Sequence, residues 1–113
     1  MGLYPISHGV RKMLNNSPVK MVIGGERVPS LSGETGSDFN PSTGEKLVEV
    51  YSADGGDVNR AVEASQHALK GKWGDMLPDE REAVLRRFAH AVEKHAEELA
   101  QLESLEKGKP VNH

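Results

Sequence analysis

The chain has 113 residues, a net charge of −3, 36% hydrophobic and 4% aromatic side chains, and no cysteine. That length suits one small domain with a thin, aliphatic core, and small domains bury a lesser share of their surface. The acidic balance gives no electrostatic ground for binding nucleic acid or an anionic membrane, and the missing cysteine excludes disulfides, thiolate metal sites and a cysteine nucleophile within these residues.

The N-terminus, MGLYPISHGVRKMLNNSPVK, is basic through Arg11, Lys12 and Lys20 and carries no acid. It lacks the apolar middle of a secretory signal, and Ile6 breaks the myristoylation pattern that Met1-Gly2 begins. Residues 1–19 read as a poorly ordered or partner-wrapped arm, with a cleaved organelle-targeting peptide as the alternative. No apolar run approaches the roughly 20 residues of a membrane span. The lack of cysteine is compatible with a reducing compartment, and a cytoplasmic location is expected.

Two short extended segments should flank Gly24-Gly25, because consecutive glycines can both take the positive φ of a tight type I′ turn. Val22 and Ile23 precede that turn and Val28 follows it. Residues 30–37, SLSGETGS, read as loop. Next comes FNPSTGEKLVEVY. Asn40 before proline is pushed to extended geometry, Pro41 presets a turn φ, and Gly44 supplies a left-handed position. Residues 46–51 read as a strand. Hairpins are thus expected over about 20–52.

Asp54 reads as a helix N-cap and Asp57 as an anion at the third helical position. Val58, Ala61, Val62, Ser65, Ala68 and Leu69 share one face of a helix over about 55–70, which Gly71 ends. Trp73, the lone tryptophan, anchors the connection that follows. Pro78 opens a long helix over about 78–106, stopped by Gly108 and Pro110. Its apolar stripe is Val84, Leu85, Phe88, Val92, Ala96, Leu99 and Leu102, with a Glu82–Arg86 pair one turn apart. At 1.5 Å rise per residue such a helix is roughly 40 Å long, and its stripe exceeds what one shorter helix and small hairpins can cover.

A search for chemistry finds no site. Neither phosphate-cradling glycine pattern occurs, nor does the nucleophile-elbow pattern G-x-S-x-G. Of His8, His67, His90, His95 and His113, only His90 and His95 are neighbours on a helix. Five residues apart, they point in different directions, whereas a zinc pair needs a spacing of three or four. Glu93, Glu97, Glu98 and Glu103 read as a solvated helix face. Trp73 reads as a packing anchor rather than a ligand platform. No catalytic, cofactor-binding or metal-binding residue is assigned within the chain.

The order of these pieces resembles one family. MVIGGERV, FNPSTGEKLVEV, ADGGDVNRAVEAS, a tryptophan, and LPDEREAVLRRFAHAVEKHAEELAQLESLEKGKP are together similar to the start of an NAD(P)-dependent aldehyde dehydrogenase. The resemblance covers residues 20–110 and departs from the family at Leu77, where a capping Ser, Thr or Asp is usual. It implies an α+β fragment, short hairpins followed by two helices, belonging to the cofactor-binding α/β domain, with residues 1–19 a separate arm. It implies that the full-length parent oxidises an aldehyde to a carboxylic acid with NAD or NADP, by thiolate attack, hydride transfer and thioester hydrolysis. The catalytic cysteine, glutamate and asparagine have no counterpart in these residues, so no cofactor is expected for the chain alone. In some members a backbone carbonyl just before the Asn-Pro turn helps hold a monovalent cation. Asp38 and Phe39 occupy that neighbourhood, but no site is assigned there. The expected partner is the remainder of a dehydrogenase chain, with self-association through the long helix also open. The competing reading is a non-catalytic interaction or oligomerisation module docking through the apolar face of that helix.

Overall fold

The computed structural model describes residues 6–108. They fall into two compact units, the first built from residues up to Val19, Thr35–Tyr51 and the chain from His95 onward, the second from Lys20–Glu34 and Ser52–Lys94.

In the first unit, α1 (His8–Asn15) precedes β3 (Thr35–Phe39) and β4 (Lys46–Tyr51), and α5 (Ala96–Lys107) closes it. β3 and β4 pair antiparallel from Thr35↔Tyr51 to Phe39↔Lys46, with a register irregularity between Asp38 and Phe39. The Asn40–Gly44 turn joins them. Buried Asn40 accepts from the Ser42 amide through Oδ1 at 2.9 Å and from the Gly44 amide through its carbonyl at 2.7 Å. Gly44 sits at φ 75°, as a left-handed turn position requires. The core of this unit is small: Val10, Val48 and Leu105.

Within residues 1–19, read from the sequence as a poorly ordered or partner-wrapped arm, α1 spans His8–Asn15. Its causes are one local cap and one long-range bond. Ser7 Oγ accepts from the Val10 amide at 3.3 Å as an N-cap, the Ser7 amide donates to Gln101 Oε1 at 2.8 Å, and Val10 is 1% exposed. Val19 then adds a one-residue parallel bridge to Val50, its amide donating to the Glu49 carbonyl at 2.8 Å. β3 also departs from the loop expected over 30–37. TGSDF has no alternating apolar pattern, and its strand exists because β4 supplies the ladder.

In the second unit, β1 (Met21–Ile23) and β2 (Glu26–Val28) form a hairpin whose Gly24 and Gly25 have φ of 62° and 81°. It packs against α2 (Gly55–Lys70), followed by α3 (Lys72–Asp75) and α4 (Pro78–Lys94). The start of α2 is a reciprocal capping box: Asp54 Oδ1 accepts from the Asp57 amide at 3.1 Å, and Asp57 Oδ2 accepts from the Asp54 amide at 3.1 Å. Gly71 caps its end. Among the described residues, the buried side chains of this unit are Ser30 and Asp57, both polar.

One long helix over about 78–106 was expected; the structure has α4 and α5 with His95 between them. Neither Pro nor Gly is present at the break. His95 takes φ −105° and ψ 17°, which interrupts the helical run for one residue, although its carbonyl still accepts from the Leu99 amide at 3.0 Å. Gly108, at φ 73°, caps α5 as expected, while Pro110 lies outside the described residues.

Candidate functional site

The best-built polar cluster is at the start of α2. The Asp57 side chain has no exposed surface and gathers donors from two segments. Oδ2 takes the Asp54 amide, while Oδ1 accepts from the Leu31 amide at 3.0 Å and from Arg60 Nη2 at 2.6 Å. Burial pushes its carboxyl up, but the Asp54 amide, the Arg60 guanidinium and the Leu31 amide outweigh burial and hold it below the ordinary aspartate range. Arg60 Nη2 also reaches the Pro29 carbonyl at 3.4 Å. The cluster ties residues 29–31 to the helix start.

Gly55 and Gly56 open α2, and a glycine-rich helix start invites comparison with a phosphate cradle. The chemistry does not fit. The Asp54 carboxylate takes the Asp57 amide and the Asp57 carboxylate takes the Asp54 amide, and their charge at the helix start opposes a pyrophosphate. α4 opens with Asp79 and Glu80, and α5 with Glu97 and Glu98. Negative charge at these three helix starts disfavours a phosphate there.

Two of the histidines singled out from the sequence meet acids three residues further along the chain. His67 lies on α2 and His90 on α4, both exposed, and His90 Nδ1 is 3.8 Å from Glu93. His95 Nδ1 lies 3.0 Å from Glu98 Oε1. Glu97 accepts from Gln101 Nε2 at 3.4 Å. His8 is exposed on α1, and His113 is outside the described residues. Among the described residues, no three His, Cys, Asp or Glu side chains converge as metal ligands. Near the Asn-Pro turn, burial and the neighbouring Asp38 carboxylate push the Glu106 carboxyl up, against the pull of Lys107.

Trp73 is held as an anchor. Arg81 donates through Nε to the Trp73 carbonyl at 3.3 Å and through Nη2 to the Gly74 carbonyl at 3.1 Å, and its guanidinium sits 5.5 Å from the ring centroid. Sequence reasoning missed Arg81 and the burial of Asp57. A charged residue four positions into a helix carries no mark of a backbone partner eight residues upstream.

The apolar faces, in contrast, are open. On α2, Val58, Ala61, Val62, Ser65 and Leu69 line a shallow groove of about 410 Å³ with Gln66. A second groove, about 460 Å³, runs between the β1–β2 turn and α2. On α4, Leu85 is 60% exposed and Phe88 68%. Aliphatic side chains dominate the first groove, and the second adds the glycines of the turn and His67. Among the described residues, no helix is long and apolar enough to cross a membrane.

The described residues thus comprise two small hairpins, an acid-capped helix α2 and open apolar faces. Relatives of the chain identify it further. The family model described as aldehyde dehydrogenase family matches residues 28–113. The putative aldehyde dehydrogenase DhaS of Bacillus subtilis is 45% identical over 94 residues, covering 82% of this chain and 19% of its own length. Aldehyde dehydrogenase family 2 member B4, mitochondrial, of Arabidopsis thaliana is 46% identical over 95 residues, covering 83% of this chain and 18% of its own. The NAD+ complex of an aldehyde dehydrogenase from Bacillus cereus superposes with a TM-score of 0.92 at 38% identity, covering 95% of this chain and 22% of that one. The chain belongs to the aldehyde dehydrogenase family. It spans about a fifth of the length of these relatives and corresponds to an N-terminal segment of them.

Proposed function

We propose that these residues are the N-terminal scaffold of an NAD(P)-dependent aldehyde dehydrogenase that oxidises an aldehyde to a carboxylic acid in the cytoplasm, and that they take no catalytic, cofactor-binding or metal-binding role themselves. The observation that carries this reading is the superposition on the NAD+ complex from Bacillus cereus, which uses nearly all of this chain and 22% of that one. The acid-capped start of α2 supports it from the other side, since the two carboxylates there oppose the charge of a phosphate.

The partner in this reading is the remainder of a dehydrogenase chain, whose apolar surface covers the open faces of α2 and α4. Burying a side chain such as Leu85 or Phe88 contributes about 1.5–3 kcal/mol, so a few such residues suffice to drive docking. Self-association through α4 and α5, giving an oligomer, is the competing use of the same kind of surface.

Complementation tests the reading. The 113-residue chain is mixed with the Bacillus subtilis relative lacking its matched segment, and NADH production from a simple aldehyde is followed. Activity restored in the mixture, and absent from each part, supports a scaffold role. A mixture that stays inactive while the chain sediments as a stable homo-oligomer supports self-association and overturns the proposal.

A further inference from the structure

We draw no further inference here: the strongest candidate, the Asp38–Glu106 carboxylate pair between β3 and the end of α5, is an acidic cluster beside which the structure shows no bound ion and no buried, unpartnered polar group that points to a ligand.

Discussion

The Leu31 amide donates to Asp57 Oδ1 at 3.0 Å across 26 positions of sequence. That bond joins the loop after β2 to the first turn of α2, and Asp57 makes it while completing the capping box with Asp54. Replacing Asp57 with Asn halves its acceptor capacity and removes its charge beside Arg60. Asp57→Asn is expected to lower the melting temperature by several degrees and to speed exchange of the Leu31 amide. A variant with unchanged protection at Leu31 would contradict this role.

The same carboxylate sets a pH dependence. Its folded value lies below the unfolded one, so the stability it contributes is present above the ordinary aspartate range and is lost as the pH falls through the folded value. Protection of the Leu31 amide should therefore persist through mild acid and fail only in stronger acid. In Asp57→Asn that acid-dependent step should be absent, as exchange measured across a pH series will reveal.

Glu106 has the opposite sign. Burial and the Asp38 carboxylate raise its folded value, so its favourable contribution exists at low pH and is lost as the pH rises through that value. Glu106→Gln should stabilise the protein modestly at neutral pH, with the gain shrinking in acid, where Glu106 is protonated, and in high salt, which screens its repulsion by Asp38. Thermal melts at two pH values and two salt concentrations check all three signs.

Gly44 and Gly74 are required for different reasons. At Gly44 an added Cβ meets nothing, so the obstacle is φ 75° itself, and Gly44→Val should cost roughly 1–2 kcal/mol and loosen exchange across Lys46–Tyr51. At Gly74 a Cβ would run into the Leu69 carbonyl oxygen, which is backbone and cannot turn aside. Gly74→Ala should displace α3 from the end of α2 and shift the emission of Trp73, the sole tryptophan. An unaltered emission spectrum would refute that packing.

Much of this architecture was legible before any coordinates. Asp54 and Asp57 marked a helix start, Gly24-Gly25 and Asn40–Gly44 marked turns, and the apolar spacing on α2 marked one face, because each is a local rule with a local cause. What escaped depended on partners distant in sequence. β3 is a strand only by virtue of β4, and α1 is fixed through Ser7 and Gln101, 94 positions apart. The interruption at His95 has no glycine or proline to announce it. The stripe of the expected long helix was read correctly as apolar, but periodicity cannot say what covers it. Leu85 and Phe88 stand open on α4.

That exposure has a measurable consequence. In the 113-residue chain, Leu85→Ala should change stability by no more than about 0.5 kcal/mol. Val10→Ala, which empties a buried position, should cost on the order of 2 kcal/mol. Equal losses by chemical denaturation would mean that Leu85 is covered in solution.

The most direct test is a spectrophotometric assay of the purified 113-residue chain with short aliphatic and aromatic aldehydes and either NAD or NADP. A scaffold segment with no catalytic cysteine of its own should produce no reduced cofactor above the no-protein rate. Sustained aldehyde-dependent turnover by this chain alone would contradict the account.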